Sequence, residues 1–153
     1  MRFEKARDAF NHASLFHTEL SKLYQRSAAH EHTDKAKLLL NYLVKHEQEL
    51  ADGLDKYQQD APAALLDTWF QYTNDTEILN IPESEAFFTK KTIETIVEFS
   101  FKIADTLIEF YEEMASQADK TTLKEAFTNL ASMQKQEKRK LSMNIDRLMD
   151  LWD

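Results

Sequence analysis

Apolar residues recur along this chain at alternating steps of three and four, the spacing that lays a stripe down one side of an α-helix. Phe3, Ala6, Phe10, Ala13, His17, Leu20 and Tyr24 make the first stripe and predict a helix over about 2–29. His30-Glu31-His32-Thr33 reads as a turn, with Thr33 or Asp34 placed to cap a second helix over about 34–59. Its inner stripe is Leu40, Leu43, Glu47, Leu50, Leu54 and Tyr57. A third stripe runs through Ile93, Ile96, Ser100, Ile103, Ala104, Leu107, Tyr111 and Met114, within a helix expected over about 84–118. Thr122-Leu123-Lys124-Glu125 has capping-box spacing and opens a fourth helix over about 122–152. There Leu123, Phe127, Leu130, Gln134, Glu137, Leu141, Ile145 and Leu148 point inward.

The stretch 60–83 breaks the pattern. Asp60-Ala61-Pro62 suits the start of a short helix holding Leu65, Leu66, Trp69 and Phe70, which Thr73-Asn74-Asp75 ends. Pro82 then precedes the third helix. A connector this long is able to carry the chain from one end of a bundle to the other, so that helices two and three run parallel. The chain also repeats itself. A shift of 87 positions lays Leu43-Val44-Lys45-His46-Glu47 on Leu130-Ala131-Ser132-Met133-Gln134, Leu23-Tyr24 on Phe110-Tyr111, and Leu54 on Leu141. Two helical hairpins on one plan, joined by one long crossover, predict an all-α four-helix bundle in a single domain spanning 1–153.

Composition agrees and narrows the function. One glycine and two prolines in 153 residues suit long helices and argue against sheets. The formal charge of −8 argues against nucleic acid or an anionic lipid surface as partner. No cysteine means no disulfide, thiol catalysis or thiolate metal site. Met1-Arg2-Phe3-Glu4-Lys5 has no apolar signal core, and no apolar run reaches membrane length, so a cytoplasmic protein with no membrane association is the expectation. With Gly53 as the one glycine there is no phosphate loop, and the serines lie on helices without a nucleophile elbow.

The repeated hairpin, the crossover and Leu107-Ile108-Glu109-Phe110-Tyr111-Glu112-Glu113-Met114-Ala115 together resemble the rubrerythrin-like branch of the ferritin-like superfamily. That resemblance implies two irons at mid-bundle. Their ligands would be a Glu seven residues before the Tyr on the first helix of each hairpin and a Glu-x-x-His on the second. On this chain the pattern falls on His17, on Glu47 with Leu50, on Ala104, and on Gln134 with Glu137. Glu47 alone matches, so a lost di-iron centre is the expectation.

His17, Glu47, Gln134 and Glu137 are expected to face inward at one height and satisfy one another, since buried polar groups without partners are costly. The leading reading is a non-catalytic module with a structural or protein-interaction role, holding no cofactor and serving a partner the sequence does not name. The alternative is a metal-binding protein with one Zn, Mn or Fe ion on His17, Glu47 and Glu137, completed by Gln134 or water, with residual oxidoreductase or storage activity. A third reading is an apolar ligand in the core, where small Ser100 and Ala104 face bulkier neighbours. His30-x-His32 beside Glu31 and Asp34 reads as a solvated turn, His46 as a boundary residue, and Lys135 to Lys140 as a wet helix face. Trp69, Phe70 and Tyr72 suit a bundle cap or a subunit contact, and a homodimer is expected.

Overall fold

Each of the four stripes folds as a helix, the first from Ala6 onward. In a computed structural model, which describes residues 2–30, 33–73 and 92–151, α1 spans Ala6–Ala29, α2 Asp34–Asp60, α3 Ala63–Leu66, α4 Ile93–Gln117 and α5 Thr121–Asp150. Two short strands, β1 (Arg2–Lys5) and β2 (Trp69–Thr73), pair antiparallel, with Phe3 opposite Tyr72 and Lys5 opposite Trp69. Caps start the helices where the sequence provides them. The Thr33 hydroxyl accepts from the Ala36 amide, and the Thr92 hydroxyl accepts from the Thr95 amide at 3.1 Å. At α1 the Asp8 carboxylate accepts from the Lys5 amide at 3.1 Å.

The helices lie up-down-down-up. Tyr24, late in α1, packs edge-on against Phe99, early in α4, so these two run antiparallel. Tyr42, early in α2, accepts a hydrogen bond from the Asn144 amide late in α5, so that pair is antiparallel too. Phe10 and Phe127, near the starts of α1 and α5, pack with ring centroids 5.4 Å apart, and α1 and α5 therefore point the same way. It follows that α2 and α4 are parallel, which is what the long connection between them permits.

The core fills the space between these four. Phe10, Leu20, Tyr24, Leu40, Leu43, Leu107, Phe110, Met114 and Phe127 are fully enclosed. Removing one such aromatic, as in Phe10→Ala, costs about 3–5 kcal/mol. No described helix is long and apolar enough to cross a membrane.

The boundaries differ from the sequence reading at several places. Residues 2–5, expected in the first helix, are strand: their backbone pairs with β2, and α1 begins only after Lys5. The short helix expected to hold Leu65, Leu66, Trp69 and Phe70 stops at Leu66. The Thr68 hydroxyl donates back to the Ala64 carbonyl at 2.7 Å, and Trp69 and Phe70 belong to β2. At α5 no side chain caps the first turn, and the helix starts at Thr121 rather than through the box at Thr122. The expected start of the third helix near 84, and His32 and Pro82, lie outside the described residues.

Candidate functional site

Polar links join α1 to α2. Ser14 donates to the Asp55 carboxylate at 2.7 Å, and Ser21 donates to the Val44 carbonyl at 3.0 Å. Between them His17 Nδ1 meets Glu47 Oε2 at 2.5 Å. Both partners of this middle link are buried, His17 at 1% exposure and Glu47 at 5%. The pair arises because both residues occupy inward stripe positions at matching depths of an antiparallel hairpin.

Among the described residues the second hairpin holds no equivalent buried pair. The internal repeat lays His17 on Ala104 and Glu47 on Gln134, so the position equivalent to the imidazole carries only a methyl group. Ala104 and Gln134 are both buried. Glu137 sits differently from the inward position expected of it. Its carboxylate is about a third exposed and lies 3.4 Å from the Lys140 ammonium, one turn along α5. Of the four polar residues singled out in the sequence, the structure joins His17 to Glu47 by a hydrogen bond. Gln134 and Glu137 line a cleft beside that pair.

The cleft has a volume of about 530 Å³ and lies between α2 and α5. His17, Tyr111 and Gln134 form its floor, with Tyr42, His46 and Gly53 among the α2 residues beside it. Ser100 and Ala104, the small residues expected to leave room in the core, do not line it, and the Ser100 hydroxyl donates to the Val97 carbonyl at 2.7 Å. Tyrosines surround this region. Burial, and then the nearby Glu47 carboxylate, push the Tyr24 hydroxyl well above its ordinary value. Burial alone raises Tyr111 strongly. His46 stacks on Tyr42, and burial lowers its pKa against the opposing pull of Glu47 and Glu137.

Among the described residues no three His, Asp or Glu side chains gather closely enough to hold a metal ion. No protein-family model matches the sequence, and neither does any curated protein. A solved structure does match in shape: a Thermotoga maritima protein named as a ferritin-like diiron-carboxylate protein. It aligns over 91% of this chain and 93% of its own, with a TM-score of 0.60 and 16% identity. The fold is ferritin-like. In this ferritin-like bundle the buried His17–Glu47 pair joins α1 to α2, and His17 also lines the cleft. Sequence reasoning found the buried pair from the stripes, but it missed the cleft. Tyr42, Lys45 and Glu49, which border it, read as outer positions of α2, and the one available signal was Gly53 inside a helix otherwise free of glycine.

Proposed function

We propose that this chain is a non-catalytic ferritin-like module that works without a di-iron centre, in a structural or protein-interaction role. The observation that carries this reading is the short hydrogen bond from His17 to Glu47. It commits to each other two side chains at positions where the rubrerythrin-like pattern places iron ligands. A di-iron centre of this type uses about four carboxylates. At the corresponding positions this chain offers Glu47, held by His17, and Glu137, which lies beside Lys140. The amide of Gln134, the methyl of Ala104 and the alkyl chain of Leu50 supply no anionic ligand. The residues present do not fit two irons.

The test is metal retention. Untagged protein is incubated with Zn(II), Mn(II) or Fe(II), desalted and analysed for bound metal. The expected result is less than about a tenth of an equivalent of each. Retention of two equivalents of iron would overturn the proposal. One equivalent, abolished by Glu47→Leu, would establish the mononuclear His/Glu site instead. For the interaction role, the supporting observation is Trp69, which is 60% exposed on β2. A second copy of this chain is the partner we propose for it. Sedimentation should then give a species at twice 17.9 kDa that Trp69→Ser reduces to the single chain.

A further inference from the structure

The floor of the α2–α5 cleft carries polar groups from three side chains that are otherwise buried. His17, Tyr111 and Gln134 line it at 1%, 2% and 7% exposure. Tyr111 and Gln134 carry their hydroxyl and amide to the cleft lining. His17 spends Nδ1 on Glu47 and also lines the cleft. Polar atoms at the floor of a cleft are bonded by water until a ligand displaces it, so a ligand that reproduces those bonds is favoured over one that does not. The internal repeat puts Ala104 and Gln134 at the positions that His17 and Glu47 hold in the first hairpin.

We propose that this cleft binds an uncharged, planar aromatic molecule that carries a hydroxyl or carbonyl oxygen on one edge. The walls supply the flat, apolar part of that description. The rings of Tyr42 and Tyr57 and the side chains of Leu50, Leu54, Leu130 and Met133 face the space, and methionine adapts readily to an aromatic face. The floor supplies the polar edge. Burial keeps Tyr111 a phenol, so it donates. Gln134 both donates and accepts, which suits a hydroxyl as well as a carbonyl. The mouth supplies the absence of net charge: Lys45 and Lys140 stand there against Glu49 and Glu137. Neither sign is favoured, and a full charge carried to the floor would meet no fixed countercharge beyond the closed His17–Glu47 pair. A volume of about 530 Å³ is within the range of small-molecule sites.

Gly53 points to the way in. It lies in the interior of α2, where glycine costs about 1 kcal/mol relative to alanine. A Cβ placed on it would meet no atom within 4 Å. Packing therefore does not require glycine here, whereas a side chain would project into the cleft's border.

The probe is 2-naphthol, titrated by calorimetry in EDTA-containing buffer so that the outcome is independent of any metal. One molecule should bind per chain and raise the melting temperature. Tyr111→Phe and Gln134→Leu should each weaken it by about tenfold, one hydrogen bond apiece, while leaving the unliganded melting temperature unchanged or higher. Gly53→Leu, which fills the border of the cleft, should abolish binding in a protein that still melts cooperatively. The anion 2-naphthoate should bind at least about tenfold more weakly than the neutral probe. No binding of 2-naphthol up to its solubility limit overturns the proposal, and so does binding that survives Gly53→Leu. Binding lost in Gly53→Leu but indifferent to both floor substitutions refutes the polar recognition. Equal or tighter binding of 2-naphthoate refutes the assignment of an uncharged ligand.

Discussion

Glu47 and His17 are each a liability alone and tolerable together. Both are buried, and each satisfies the other through one short hydrogen bond. Removing one partner leaves the second desolvated and unpaired, whereas replacing both by apolar groups removes the penalty. Glu47→Leu is therefore expected to cost about 2–3 kcal/mol in urea unfolding, because Glu137 stands part-exposed beside Lys140 and is not placed to replace it. The double variant His17→Leu/Glu47→Leu should recover most of that loss, and a double variant no more stable than the single one would contradict this account of the pair. Tyr24 presents the opposite case. Its hydroxyl is buried with no hydrogen-bond partner among the described residues, and the Glu47 carboxylate nearby disfavours its ionised form. Tyr24→Phe removes only that desolvated oxygen, so the variant should be as stable as the parent or more so, by up to about 1 kcal/mol. A loss of more than that would mean the hydroxyl is bonded in solution.

The helices carry their own weak points, and these sit where the sequence departs from helix chemistry. Gly53→Ala should stabilise the protein by about 1 kcal/mol, since α2 gains helix propensity and the new methyl meets nothing. Thr92→Ala should cost about 1 kcal/mol, because the first turn of α4 loses the hydroxyl that accepts from Thr95. Chemical denaturation of the two variants measures both effects, and they should have opposite signs. The same elements show what a sequence discloses. The stripes through Phe10, Leu43, Leu107 and Leu130 gave four helices because burial alone sets a period of 3.6. Thr33 marked the start of α2 because its cap is local. The β1–β2 ribbon stayed hidden: Phe3, Ala6 and Phe10 continue the helical rhythm straight through the boundary at Lys5. What makes residues 2–5 a strand is pairing with a segment more than sixty positions away. Trp69-Phe70-Gln71-Tyr72-Thr73 did carry an aromatic and β-branched signal of its own. The site was legible in part for the same reason. Stripe position found His17, Glu47 and Gln134, but whether Glu137 turns inward depends on Lys140 and on how far α2 and α5 stand apart, which periodicity does not encode.

At the scale of the molecule the two hairpins are copies that have diverged at their centres, one closed by a hydrogen bond and the other open to a cleft, yet both keep an inward tyrosine. Tyr24 and Tyr111 occupy equivalent positions of the repeat, and burial is the largest cause of the raised pKa of each. This couples the stability of the whole bundle to alkaline pH. Below about pH 10, the ordinary tyrosine value, both the folded and the unfolded chain hold the phenolic protons, and pH has no purchase through these groups. Above it the unfolded chain releases protons that the folded chain retains. The unfolded state then binds fewer protons, so stability falls with rising pH, by up to about 1.4 kcal/mol per pH unit for each tyrosine. Urea midpoints should therefore be flat from pH 7 to about 9.5 and drop steeply beyond pH 10. Absorbance at 295 nm should show two tyrosines ionising only as the protein unfolds. Lysine deprotonation also removes positive charge from a chain already at −8, so repulsion contributes to the same decline. The Tyr24→Phe/Tyr111→Phe variant separates the two effects: it keeps every lysine, and its midpoint should fall less steeply above pH 10 than that of the parent. Identical slopes in the two proteins would show that the buried phenols are not the groups responsible.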